Sequence, residues 1–424
     1  MTLIYDLVLL LYALVALPVL ISKGKLKEGF RERKGHLPAG AQEIWKGRPV
    51  IWVHAVSVGE VRLAVRLIRQ LAARTPELAV TLTTTTASAQ KIAREAVGSS
   101  VVVTYVPFDL SWMMRRFLDA VKPRAIVILE TEVWPNLLRQ AQKRGIPALV
   151  VNARISDRAL PAYLKWRWAL GPVFGRITRC LAQSEEHARR YARIGVPEDR
   201  IRVTGNMKFD LEVPLLMESV RRAMSVFRAD SKALFLAAST HAGEEAMAAG
   251  AFLSIRTHVP GSKLVIAPRH LERLAEVEEI IRSKGLKCAK ITDLERHYAQ
   301  DVDVLIVDEW GVLNQLYSLV DLVFVGGSLV PVGGHNLAEP AVAGCPVLYG
   351  PWTQNFRDME EEFRSAGAGI KVADARDLER RVIGLFQDPA ARRLQSARSR
   401  AVVAANAGAT DRNLEEILKW SSKK

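Results

Sequence analysis

From Pro49 onward, short apolar runs rich in β-branched residues alternate with stretches of helical period, and the alternation occurs twice. The first set is PVIWVHAV (49–56), AVTLTTTT (79–86), VVVTYVP (101–107), AIVILE (125–130), ALVVNAR (148–154), RCLAQS (179–184) and IRVTG (201–205). It restarts with ALFLAAST (233–240), KLVIAPR (263–269), DVLIVDE (303–309), LVFVGG (322–327) and PVLYGP (346–351). Continuous apolar strands joined by crossover helices predict parallel sheets covered on both faces. A polar, Pro-containing passage, FDLEVPLL (209–216), separates the sets and places a domain boundary within 212–228. Two α/β, Rossmann-like domains facing across a cleft are therefore expected, with ligands bound outside the carboxyl ends of the strands. The segments from about Ala390 are expected to pack back across both.

A different pattern precedes them. Met1 to Ile21 carries one charge, Asp6, and as a helix would be roughly 31 Å long, about one hydrocarbon core. Six basic residues follow between Lys23 and Lys34, against Glu28 and Glu32. That order predicts an N-terminal membrane anchor over 1–22 with the rest of the chain cytoplasmic. No basic residue precedes the run, as a cleaved signal peptide would require. The formal charge of +15 reads either as a basic solubilising surface or as a sign of acidic partners, an anionic membrane or phosphorylated substrates. Nucleic acid is not expected, because the sequence has no motif for it. Three distant cysteines, Cys180, Cys288 and Cys345, indicate neither a disulfide framework nor a metal site.

Special residues gather where the strands end. In HAVSVGE (54–60), Glu60 opens a helix. It reads either as a cap or as a general base. Glu130 and Glu132 end another strand in ILETEVWPN (128–136), and unpaired acids there are costly unless used. Lys208 in TGNMKFD (204–210) could meet a developing anion or form an interdomain salt bridge. In the second half, Gly326-Gly327-Ser328 and PVGGHNLAEP (331–340) present backbone N–H groups suited to a phosphate. Ser239-Thr240-His241 with Gly243-Glu244, and Pro268-Arg269-His270, make two further polar turns. Together they predict a nucleotide site, with Arg269 as an anion ligand and Glu339 for ribose hydroxyls. Walker and GxGxxG motifs are missing, and so is a DxD-like pair. A monophosphate leaving group neutralised by protein groups, with no metal and no cofactor, follows.

These ordered stretches resemble the family of Kdo (3-deoxy-D-manno-octulosonic acid) transferases of lipopolysaccharide synthesis. WVHAVSVGE, LETEVWPN, VNARIS, TGNMKFD, STHAGEE, APRH, FVGGSLVPVGGHNLAEPA and YGPWTQNF carry the resemblance across nearly the whole chain. It implies a glycosyltransferase B fold: an anchor (1–22), an acceptor-binding domain (23–218) and a donor-binding domain (219–424). It also implies inverting transfer of Kdo from CMP-Kdo to the tetraacyl lipid A precursor, without cofactor or metal. The implied place is the cytoplasmic face of the inner membrane, beside anionic lipids. Glu60 would be the proton acceptor, with Glu130 and Lys208 stabilising the transition state. Pro268, Arg269, Glu309, Trp310, Gly311, His335, Asn336, Leu337, Ala338 and Glu339 would hold the donor. In this family the 309–311 turn varies, implying backbone contacts there. A UDP-sugar-dependent lipid transferase of the same fold is the alternative; an epimerase would need neither anchor nor acceptor base, and a scaffold would leave the strand-end residues without a role.

Overall fold

The computed structural model describes residues 5–11, 28–211, 214–296 and 301–422. The chain forms two compact units, one running to Asp210 and taking in Ala407–Lys424, the other Leu211–Asn406. The division falls inside the polar passage after Phe209.

The first unit is a seven-stranded parallel sheet in the order β3-β2-β1-β4-β5-β6-β7. Its strands are β1 (Val50–His54), β2 (Ala79–Thr84), β3 (Val102–Tyr105), β4 (Ala125–Leu129), β5 (Ala148–Ala153), β6 (Arg179–Ala182) and β7 (Ile201–Val203). Alternate residues of one strand enter opposite cores. Val50 and Trp52 of β1, with Ile126 and Ile128 of β4, pack beside Phe117, Leu137 and Phe174. Ile51, Val53, Val127 and Leu129 pack on the other face beside Val61 and Leu67. Covering both faces is what makes these strands apolar without interruption. The winding reverses between β1 and β4, which pair directly, and their carboxyl ends flank that switch point.

The second unit repeats the design in the order β10-β11-β9-β8-β12-β13-β14. Here β8 is Ala233–Thr240, β9 Ser262–Pro268, β10 Cys288–Lys290, β11 Val304–Ile306, β12 Leu322–Val325, β13 Val347–Tyr349 and β14 Gly369–Lys371. Its switch lies between β8 and β12. The short edge strands β10 and β14 were not anticipated, because three residues of mixed exposure leave no readable alternation.

The last two helices divide between the units. Pro389–Asn406 packs in the second, on Ala338–Val342 and Ala375–Gln387. Ala409–Ser421 returns to the first and lies on the helix Val58–Arg74 and on β4 and β5. Leu414 and Ile417 are buried there, each contributing about 1.5–3 kcal/mol by leaving water. The Asp210 carboxylate accepts the N–H groups of Gly408 and Thr410, satisfying free donors at the helix start.

Most of the expected anchor lies outside the described residues, and within them no helix is long and apolar enough to cross a membrane. Residues 5–11 are helical. Asp6, 5% exposed, accepts from Asn136 Nδ2 at 2.7 Å and from the Ser111 N–H at 3.1 Å. The one charge in the apolar run is thus held at the start of two first-domain helices.

Replacing Ile417 with alanine should cost about 2–5 kcal/mol. The check is urea unfolding: the first unit's transition should fall while that of the second stays in place.

Candidate active site

In the first unit, β1 ends at His54 and the helix Val58–Arg74 begins after Ser57. Ser57 accepts the Glu60 N–H at 3.3 Å through its hydroxyl oxygen, and donates that hydroxyl to Glu60 Oε1 at 2.8 Å. Glu60 Oε2 accepts the Val56 N–H at 2.8 Å. This reciprocal cap holds the carboxylate at a fixed place on the sheet edge, so capping and chemistry are compatible for one residue. Glu60 is 8% exposed. Burial pushes its carboxyl up to about 7, against the pull of the Val56 and Ser57 hydrogen bonds and with help from the charges of Glu130 and Glu132.

Glu130 follows β4, the neighbour of β1, in the left-handed region at φ +56°. For a residue with a side chain that conformation costs of order 1–3 kcal/mol. Its backbone is tied at both ends: its N–H donates to the Val151 carbonyl, and its own carbonyl accepts the Tyr191 hydroxyl at 2.9 Å. Its carboxylate meets Lys208 Nζ at 2.9 Å. Lys208 sits on the 3-10 turn Met207–Phe209 after β7, whose start is capped by Asn206 and held by Asn152 Oδ1 accepting the Met207 N–H. This Lys208–Glu130 ion pair is made within the first unit. Glu132 accepts from Trp134 Nε1 at 3.1 Å, and burial raises its carboxyl.

Asn152, within VNARIS, and Tyr191 were assigned no role from the sequence. Asn152 lies at the end of β5 at φ +53°, and Tyr191 on the helix Glu185–Ile194; only folding brings them beside Met207 and Glu130.

The second unit has a comparable centre. Glu244 begins the helix Glu244–His258 after β8 and is fully buried. Its carboxylate accepts four backbone N–H groups: His241 at 3.0 Å, Gly327 at 2.6 Å, Ser328 at 3.0 Å and Leu329 at 2.9 Å. Burial pushes the carboxyl up while those N–H groups draw it down. It therefore bridges the β8 and β12 ends across the switch point. Gly326 is required there, since a Cβ would lie 2.7 Å from the Ser239 carbonyl oxygen and 2.8 Å from Glu244 Oε2.

Around this centre stand the expected donor residues. Pro268 closes β9 and is buried, whereas Arg269 is exposed, its guanidinium 5.9 Å from the centre of the Trp310 ring. Trp310 is 67% exposed and follows Glu309, also exposed, beyond β11; Gly311 turns the chain at φ +86°. His335 Nε2 lies 2.9 Å from His241 Nε2. Asn336 Oδ1 accepts the Ala338 N–H, and its Nδ2 donates to Glu339 Oε1 at 3.2 Å, so Glu339 is held by its own turn. Leu337 and Ala338 are buried at 2% and 0%, which leaves mainly their backbone for a ligand. Because β11, β9, β8 and β12 are successive neighbours, all these turns share one sheet edge.

Two doubly wound parallel-sheet domains, each with its polar residues at the switch point, make up the glycosyltransferase B fold. Solved structures share the fold: UDP-GlcNAc 2-epimerase from Neisseria meningitidis (TM-score 0.59, 16% identity, 88% of this chain and 100% of that one), and a glycosyltransferase from Rickettsia africae (TM-score 0.59, 13% identity, 88% and 98%). A family model described as 3-deoxy-D-manno-octulosonic-acid transferase (kdotransferase) matches residues 28–211. The 3-deoxy-D-manno-octulosonic acid transferase of Bordetella pertussis is 35% identical over 376 residues, 87% of each chain. That of Haemophilus influenzae is 33% identical over 367 residues, 86% of each. The chain belongs to the 3-deoxy-D-manno-octulosonic acid (Kdo) transferase family.

Glu244→Ala would strand four N–H groups at the switch point, each worth about 1–3 kcal/mol if left unsatisfied. Amide exchange should show protection lost at Gly327, Ser328 and Leu329 before the rest of the second unit.

Proposed function

We propose that the enzyme transfers Kdo from CMP-Kdo to a hydroxyl of the lipid A precursor, with inversion at the anomeric carbon. The observation that carries this reading is the trio at the first unit's sheet edge: a buried Glu60 carboxyl near neutrality beside the Glu130–Lys208 ion pair. Glu60 takes the proton of the acceptor hydroxyl as its oxygen attacks, and CMP departs from the opposite face of the sugar. A carboxyl poised near the working pH suits a general base. Lys208, held by Glu130, supplies fixed positive charge where negative charge develops.

The first domain takes the acceptor and the second the donor. Arg269 faces the phosphate, the Glu309–Gly311 turn the nucleotide, and the turn from His335 to Glu339 the phosphate and ribose. The N-terminal apolar run anchors the enzyme in the inner membrane with both domains on the cytoplasmic side. The basic residues after it favour anionic lipids, and Asp6 ties the run to the acceptor domain.

Incubating the membrane-bound enzyme with CMP-Kdo and tetraacyl lipid A precursor should add the mass of one or more Kdo units to the lipid. No gain with intact donor and folded enzyme would overturn the reading, and a gain from a UDP-sugar instead would support the alternative transferase. A carboxyl at about 7 is charged above that pH and neutral below, so kcat/KM should fall as pH drops through about 7. Glu60→Gln should lower turnover by about 10²–10⁴-fold and remove that limb of the profile, while CMP still binds; normal turnover would end the base assignment.

A further inference from the structure

Three imidazoles meet at the second unit's switch point, each from a different strand end. His241 follows β8, His270 follows β9 beside Arg269, and His335 lies beyond β12. The rings of His241 and His335 are nearly parallel, 11° apart, with centroids 5.1 Å apart, and their Nε2 atoms are 2.9 Å apart. His270 meets His241 edge-on at 5.4 Å. Gly327 makes room for the pair, since a Cβ there would lie 3.1 Å from His335 and 3.3 Å from His241. The three rings are not arranged as a metal-ligand set among the described residues.

A contact between two Nε2 atoms at 2.9 Å requires one proton between them: one nitrogen donates and the other accepts. A second proton on the pair would give one ring a full charge. Burial and the neighbouring positive groups oppose that charge in the unliganded protein, holding His335 down to about 4 and His241 below the usual imidazole range. The groups facing the pair are Arg269, His270 and Arg273, with the Glu245 carboxylate the opposing charge felt by His241. Glu245 is already bound by Arg273 and Thr240, and His270 Nδ1 lies 3.2 Å from Glu272. An entering phosphate would reverse the local balance, because its negative charge, single in the donor's diester and double in free CMP, would then face the same nitrogens.

We infer that His241 is a further donor-site residue: it and His335 share a proton across their Nε2 atoms, and the pair takes up one more proton from solvent when the donor's phosphate binds. The charged pair then faces the phosphate as the bond to the sugar breaks and the leaving CMP gains a negative charge. The balance is one proton in with the nucleotide and one proton out when CMP leaves. His241 positions and charges His335 through the shared hydrogen bond. This rests on the donor assignment proposed above, but it is read by CMP binding alone, without transfer.

The sign follows from linkage. A group whose pKa rises on binding favours the complex at low pH, so CMP affinity should weaken as pH rises through the pair's pKa in the complex, by up to about tenfold per unit for one proton. Titration calorimetry of the full-length enzyme with CMP at pH 7.5–8, where its phosphate is already doubly charged, in buffers of different ionisation enthalpy, counts the protons. Net proton uptake is expected, and cytidine, which lacks the phosphate, should take up none. His241→Gln should retain CMP binding with uptake near zero and an affinity that no longer depends on pH. A thermal melt matching the parent's would separate that result from misfolding. Binding of CMP by the parent without proton uptake, or unchanged uptake in His241→Gln, overturns the inference. Failure of CMP to bind at all overturns the donor assignment with it.

Discussion

Each domain is organised at the place where two central parallel strands part to opposite windings. There the chain turns off the strand ends, the N–H groups of those turns lack ladder partners, and the chain must supply acceptors. Both domains answer with a buried carboxylate, Glu60 after β1 and Glu244 after β8. The two solutions differ in how completely the acid is satisfied. Glu244 accepts four backbone N–H groups and is committed to holding the Gly326–Leu329 turn in shape. Glu60 has one backbone N–H and one hydroxyl, with two other carboxylates near enough to disfavour its charge. One acid is structural because its lone pairs are spoken for, while the other keeps the capacity to bind a proton.

That difference propagates outward. The strand ends beside Glu60 carry residues in conformations a side chain does not adopt freely: Glu130 at φ +56° and Asn152 at φ +53°. They persist because Tyr191, Val151 and Met207 fasten the surrounding backbone. In return, Glu130 meets Lys208 from the turn after the far strand β7. In the second domain the committed acid fixes the glycine turn, and the fixed turn leaves room for the imidazoles of His241 and His335.

Much of this was legible residue by residue. The strands appeared as continuous apolar runs because both sheet faces are covered. The strand-end clusters appeared because acids, glycines and histidines interrupt those runs abruptly. Glu60, Glu130 and Lys208 could be named from their motifs, yet 78 residues separate Glu130 from Lys208 (208 − 130 = 78), and nothing in the spacing pairs them. From sequence an interdomain bridge stood as the alternative for Lys208 before the boundary; folding brings the Glu130 carboxylate to it. Asn152, though part of VNARIS, and Tyr191 could not be given a role, because a buried asparagine and a buried tyrosine look like core or loop residues until their partners are known.

The sequence alone determined the class of fold, the two-domain plan, the family and most of the residues at the sheet edges. These follow from local pattern, since burial on two faces dictates composition strand by strand and motif residues sit where strands stop. Tertiary structure decided which acid is committed and which stays free to take a proton, which lysine meets which carboxylate, and that two imidazoles meet at their Nε2 atoms. It also decided that the last helix returns to the first domain. Those outcomes depend on distances of about 3 Å between groups far apart in the chain, and charge, burial and hydrogen bonding at that range are set only once the strands lie side by side.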